Sequence, residues 1–142
     1  MKVIIKKLSP DAVIPQYAHV GDSGMDLCSI EDVVIRPGSW STVRTGLSVE
    51  LPPGTEAQVR PRSGLAARHA ITVLNTPGTI DQGYRGEVCV VLANLGNEPF
   101  AVTVGMRVAQ MVICPVFRVD IEESNTLSET ERASGGFGST GM

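Results

Sequence analysis

A chain of 142 residues suits one domain, and a domain of that size buries roughly 68–70% of its unfolded surface, enough for an ordinary core without staples. A net charge of −3 with 4% aromatic residues excludes a broad nucleic-acid face, which needs a basic stripe or stacking platforms. Cys28, Cys89 and Cys114 are odd in number and far apart, and with only His19 and His69 and no Cys-x-x-Cys the chain lacks the pattern of a disulfide framework or a protein-ligated zinc.

The apolar run in Met1 to Lys7 is too short for a signal peptide, and nothing later approaches the ~18 apolar residues of a membrane span, so a cytoplasmic protein without a membrane partner is expected. Val3 to Leu8 reads as a first strand; Pro10 and Pro15 then break any helix and leave an extended segment to Tyr17. Ala18 to Leu27 carries two glycines and Asp22 and Asp26, a turn feeding a short strand. There Asp26, between Met25 and Leu27, points away from the apolar face. Val33 to Ile35 and Ser39 to Leu51 read as two strands around a tight turn at Pro37-Gly38, and Thr55 to Arg60 forms another after Pro52-Pro53-Gly54. Short strands punctuated this densely predict an all-β fold, a sandwich, jelly roll or barrel. Helical periodicity is confined to Ser63 to His69, where Ser63 could cap a short helix. Pro61-Arg62 precedes it, so a guanidinium, a hydroxyl and a helix N-terminus lie together, a combination suited to phosphate oxygens.

The segment from Asn75 to Val88 alternates polar and apolar residues with three glycines and reads as a β-hairpin, entered from Val73-Leu74 and left through Val88 to Leu92. Asp81, Tyr84 and Arg85 sit at its tip without a hydrophobic reason to be there. Val88 to Ala93 is apolar without alternation, as is the strand Met106 to Cys114, which predicts strands buried on both faces and an outer face covered by another subunit. Arg107 and Gln110 interrupt that last strand three positions apart, on opposite faces unless a bulge intervenes. From Glu122 the composition turns to Glu, Ser, Thr and Gly, and Leu127, Phe137 and Met142 are its only large apolar residues, so a disordered tail is expected. Within it, Arg132 to Gly141 places four glycines and three hydroxyls around Phe137. Bare glycine backbone can approach phosphates and Phe137 offers a stacking face, although no lysine follows as in a P-loop.

Taken in order, Ala18 to Leu27, Pro61 to Ala66, Gly78 to Val88, Gly105 to Gln110 and Arg132 to Gly141 form a set that resembles the five motifs of trimeric deoxyuridine triphosphate nucleotidohydrolases, the dUTPases. Pro-Arg-Ser-Gly-Leu-Ala and Ile-Asp-x-x-Tyr-Arg-Gly are the sharpest. One departure is Ala133, where the family commonly has glycine. The resemblance implies a jelly-roll β-sandwich of β-clip type over residues 1–121 and a flexible arm over 122–142. It implies a homotrimer whose active sites lie between subunits, the hairpin from one, the phosphate-binding segments from a second and the arm from a third. About twenty extended residues reach on the order of 65 Å, well beyond the roughly 15 Å radius of gyration of such a globule.

By the same resemblance, Asp81 is the general base that directs water at the α-phosphorus of dUTP, giving dUMP and pyrophosphate. The activity limits uracil entry into DNA and supplies dUMP for thymidylate synthesis. Tyr84 lies under the sugar, and Asn75 with the backbone of Gly78, Thr79 and Ile80 reads uracil. Arg62, Ser63, Gly64 and Gln110 hold phosphates, Arg132 holds the terminal one, and Phe137 and Gly138 close over the base. Asp26 matches the carboxylate near Mg2+, through metal-bound water, with the ion mainly on the triphosphate. Arg85 and Arg107 are either site residues or ion-pair partners. Two other readings stand beside this one: a deoxycytidine triphosphate deaminase on the same fold, and a non-catalytic trimeric β module.

Overall fold

The computed structural model describes residues 1–141 of the chain; Met142, the last apolar residue of the predicted arm, lies outside them. Among the described residues eleven strands and one helix follow in order: β1 (Ile4–Lys7), β2 (Met25–Cys28), β3 (Val33–Ile35), β4 (Trp40–Arg44), β5 (Leu47–Glu50), β6 (Thr55–Arg60), α1 (Ser63–His69), β7 (Ile71–Val73), β8 (Gly78–Ile80), β9 (Cys89–Asn94), β10 (Phe100–Val102) and β11 (Arg107–Pro115). Every strand pair is antiparallel. One sheet has the order β2-β11-β6-β8, a second the order β4-β9-β7, and β1-β5 and β10-β3 make two smaller ribbons. The all-β, jelly-roll-like architecture with one short helix is the expected one.

Alternation builds the core. In β6, Thr55, Ala57 and Val59 are buried while Glu56, Gln58 and Arg60 face outward, and in β2 Met25 and Leu27 are buried on either side of a partly exposed Asp26. Leu27, Ala57, Val59 and Met111 from the first sheet pack with Val43, Ile71, Val73, Val90 and Leu92 from the second in a single apolar cluster. Burying each such side chain is worth about 1.5–3 kcal/mol, and this layer fixes the register of both sheets, since a one-residue slip would turn it outward. The three cysteines are free thiols, Cys28 buried and the other two half-buried. Burial first, and then the nearby Asp26 carboxylate, push the Cys28 thiol above its ordinary range, and burial and Glu87 do the same at Cys89, so both stay protonated and unreactive near neutral pH.

Three expectations need correction. Val33–Ile35 and the chain after Pro37-Gly38 do not pair with each other: β3 pairs with β10 and β4 with β9. The predicted strand 39–51 is also split at Gly46, whose φ of +67° turns the chain from β4 into β5 and from one sheet to a ribbon. Crowding reinforces the corner, because a Cβ there would sit 3.0 Å from that of Ala12 and 3.1 Å from Ile30 Cδ1. The segment 75–88 is likewise no simple hairpin. Its flanks do pair, Val73 opposite Leu92, but Gly78–Ile80 leaves them to extend the other sheet beside β6. The segment therefore bridges the two layers, and its main chain is held from both. No helix among the described residues is long and apolar enough to cross a membrane.

Candidate functional site

Three groups of predicted residues lie in three places. The first surrounds Asp26. In the β2–β11 ladder Gln110 stands opposite Asp26 and Arg107 opposite Cys28, with the register shifting between Arg107 and Ala109. That bulge answers the spacing question: with Val108 as the extra residue, buried in the core, the three-position gap no longer puts Arg107 and Gln110 on opposite faces. Arg107 Nη1 lies 3.4 Å from Asp26 Oδ2, and Arg62 Nε donates to Asp26 Oδ1 at 3.0 Å. Arg62 also donates to the Arg107 carbonyl at 3.4 Å. Gln110 leans over Gly24, where an added Cβ would meet its Cβ and Oε1 at 3.2 Å. The result is two guanidiniums gathered by one carboxylate, with the Gln110 amide beside Gly24 on the same strand pair.

Helix α1 opens beside this group, but Ser63 is not its cap. Arg62 occupies the N-cap in extended conformation (φ −88°, ψ 127°) without a side-chain cap bond, and the first helical amide bond runs from Ala66 N to Arg62 O at 3.0 Å. The N–H groups of Ser63, Gly64 and Leu65 are thus left for another partner, as at any helix start. Ser63 and Gly64 are exposed. The cluster offers positive charge, a hydroxyl and open donors in one place, a combination suited to phosphate oxygens.

This donor set does not make a resident metal site. Both carboxylate oxygens of Asp26 face arginines, and no group of three His, Cys, Asp or Glu side chains able to hold a metal occurs among the described residues. Replacing Asp26 by Ala should remove both ion pairs at once. Arg107 is 59% exposed and its share is screened, whereas Asp26 and Arg62 are 18% and 27% exposed, so most of the loss comes from that bond. A loss of about 1–3 kcal/mol is expected, read as a lower urea midpoint at unchanged slope; an unchanged midpoint would show that Asp26 does not hold these arginines.

The second group lies along β8 and the turn after it. Gly78 and Ile80 are buried and Thr79 is exposed, so Gly78 and Ile80 can offer a ligand only main chain. Asn75 lies over Gly78, its Nδ2 3.4 Å from where a Cβ would stand, while Val59 Cβ crowds the same point at 3.2 Å. Asp81 is exposed and makes no side-chain hydrogen bond or ion pair among the described residues. It borders a cavity of about 750 Å³ shared with Thr55, Glu56, Gln82, Val116 and Arg118. Arg85 pins the turn, donating to the carbonyls of Gln82 at 2.8 Å and Tyr84 at 3.1 Å. Tyr84 is 46% exposed and its hydroxyl donates to the Glu87 carbonyl at 3.0 Å.

Strand order and register separate these two groups. Gln110 lies level with Arg60 while Ile80 lies level with Ala57, and β2 and β8 are the outer strands of the sheet. Three strand spacings sideways and about four residues lengthwise put Asp81 roughly 20 Å from Asp26. The third group, Arg132, Phe137 and Gly138, belongs to the chain beyond β11, which has turns but no strand or helix among the described residues. Arg132 Nε donates to the Gly135 carbonyl at 2.9 Å, and Phe137 is fully exposed. Ala133 and Phe137 have φ of +43° and +48°, in the left-handed region, so Ala133 stands where glycine would be at ease. Residues that the sequence did not single out are Gly24 and Arg118, together with Glu87. Only their tertiary neighbours mark them.

The family model described as dUTPase matches residues 11–141. The chain is 60% identical over 142 residues to a deoxyuridine 5'-triphosphate nucleotidohydrolase of Gloeothece citriformis, covering 100% of this chain and 98% of that one. It is 58% identical over 138 residues to one of Clostridioides difficile, covering 97% and 96%. Among solved structures it is similar to a Staphylococcus bacteriophage 80alpha dUTPase with dUPNHPP, with a TM-score of 0.94 at 25% identity and 99% of each chain covered. A mutant dUTPase from phage phi11 of S. aureus, at 22% identity and a TM-score of 0.83 over 89% of this chain and 98% of that one, shares the fold and is described with a structural Mg(II) ion. With a family match over nearly its full length and relatives this similar, the chain belongs to the dUTPase family.

Proposed function

We propose that this chain hydrolyses dUTP to dUMP and pyrophosphate, with Asp81 as the base that orients and deprotonates water for in-line attack on the α-phosphorus. The observation that carries this assignment is the free, exposed carboxylate of Asp81 at the end of a main-chain bridge held between two sheets, in a chain of this family. Pyrophosphate leaves readily once its charge is offset, so the protein has chiefly to place the water and stabilise charge. Arg62, Ser63, Gly64 and Gln110 are assigned to the phosphates, with Arg107 beside them. Asn75 and the Gly78–Ile80 backbone are assigned to uracil. Rigid main chain there suits the rejection of thymine, since a soft apolar pocket discriminates one methyl by only about 1–3 kcal/mol. Tyr84 is assigned to the face of the deoxyribose.

The separation of Asp81 from the arginine cluster, roughly 20 Å by strand geometry, exceeds what one nucleotide's reacting phosphate can bridge. A homotrimer with sites between protomers removes the difficulty: Asp81 of one chain would work with Arg62 of another, and the arm beyond residue 121 would bring Arg132, Phe137 and Gly138 from a third. Mg2+ is assigned to the substrate's phosphates. Bound there it would offset charge, while this chain's arginines and amides position the oxygens. Pyrophosphate release measured across dUTP, dTTP, dCTP and UTP tests the assignment. Turnover of dUTP far above the other three is expected; ammonia from dCTP, or no turnover of any, would contradict it.

A further inference from the structure

Tyr84 is held by contacts that the motif pattern does not announce. Its ring folds back over Gly86, where an added Cβ would fall on the ring's hydroxyl end and stand 2.9 Å from Cε2. Its hydroxyl is fixed at the far end by the Glu87 carbonyl, 3.0 Å away. That carbonyl is itself immobilised. The Glu87 side chain accepts from the Gly46 amide at 2.8 Å and from Arg44 Nε at 3.1 Å, and the next amide, Val88 N, donates to Leu47 O at 2.7 Å. Ser48 Oγ donates to the Arg85 carbonyl at 2.7 Å on the other side. The strip 85–88 is thereby stitched to the corner at Gly46, and Tyr84 remains 46% exposed.

We infer that Gly86 and Glu87 set the pose of the Tyr84 ring, and through it the discrimination between deoxyribose and ribose, with Glu87 as a positioning residue that does not touch substrate. This assignment rests on the proposed place of Tyr84 under the sugar. The added hydroxyl of a ribonucleotide is rejected only if the ring cannot retreat. A ring free to swing loses that rejection, because a soft pocket discriminates an extra hydroxyl weakly. At Gly86 the clash of a Cβ is with the end of a side chain and not with backbone. In Gly86→Ala the ring therefore moves while the fold remains. Losing the carboxylate of Glu87 frees the carbonyl that holds the hydroxyl.

The test compares kcat/KM for dUTP and UTP in the full chain and in Tyr84→Ala, Gly86→Ala, Glu87→Ala, Glu87→Gln and Gly83→Ala, with thermal melts confirming the fold of each. Gly83 has open space at its Cβ and serves as the turn control. Gly86→Ala and Glu87→Ala should each lower the dUTP-to-UTP ratio about tenfold or more, chiefly by raising turnover of UTP relative to dUTP. Glu87→Gln, whose amide oxygen can still accept from Gly46, should keep most of the ratio, and Gly83→Ala all of it. If Tyr84→Ala relaxes the ratio but folded Gly86→Ala and Glu87→Ala do not, the positioning role is wrong and the place of Tyr84 survives. An unchanged ratio in Tyr84→Ala overturns the place of Tyr84 itself.

Discussion

Asp81→Asn is expected to lower kcat for dUTP by about three orders of magnitude, in the range that removal of a general base commonly costs, while the Kd for the nucleotide stays nearly unchanged. The substitution preserves size and hydrogen-bonding shape but cannot take a proton from water. Asp81 is exposed and carries no ion pair among the described residues, so its replacement releases no buried partner and should leave stability unchanged. Single-turnover kinetics with a fluorescent or radiolabelled nucleotide separates binding from chemistry. A variant that binds normally and still turns over near the wild-type rate would remove Asp81 from the reaction.

Deleting the chain from Glu131 onward is expected to reduce turnover by about 10²–10⁴-fold, because in the proposed site the loss removes Arg132 from the phosphates and Phe137 from the base and leaves the site open to water. Stability should hardly change. Among the described residues the apolar core draws on none beyond Ile113, and the hydrogen bonds of segment 131–141 stay within it or reach only its neighbour Thr130: Arg132 to Gly135, Ala133 to Thr130, Ser139 to Gly136 and Gly141 to Gly138. A thermal melt and sedimentation analysis should match those of the full chain. Full activity in the truncated protein would contradict the closing role of the arm.

Local chemistry made much of this legible from the chain alone. Alternation in Thr55 to Arg60 and the isolated carboxylate of Asp26 announced both strands and their outward faces. Pro61-Arg62 ahead of a short helix announced that a guanidinium, a hydroxyl and a helix start lie together. What failed were choices made between elements. Gly46 carries no local sign that it is a corner between sheets, and Val33–Ile35 pairs with a strand 65 positions later, Phe100 opposite Ile35, a partner no turn signal names. The helix start was misjudged by one residue because Ser63 fits a cap pattern while Arg62 holds the extended conformation. The place of Arg107 beside Asp26 depends on a bulge that only the β2–β11 register reveals. The same registers place Asp81 and the arginines at distant corners of one sheet. From sequence that distance was invisible, and it supports the division of the site among chains that the family resemblance implies.

Mixing two inactive variants tests this division most directly. Asp81→Asn and Arg62→Ala chains, each inactive as its own assembly, are co-refolded in equal amounts and assayed for dUTP hydrolysis. If every site draws Asp81 from one protomer and Arg62 from the next, about a quarter of the interfaces in a random cyclic assembly regain both groups, and activity returns to a corresponding fraction. Mixtures as inactive as their parents, despite proven subunit exchange, would mean that both groups serve a site within one chain, and the division between protomers would be wrong.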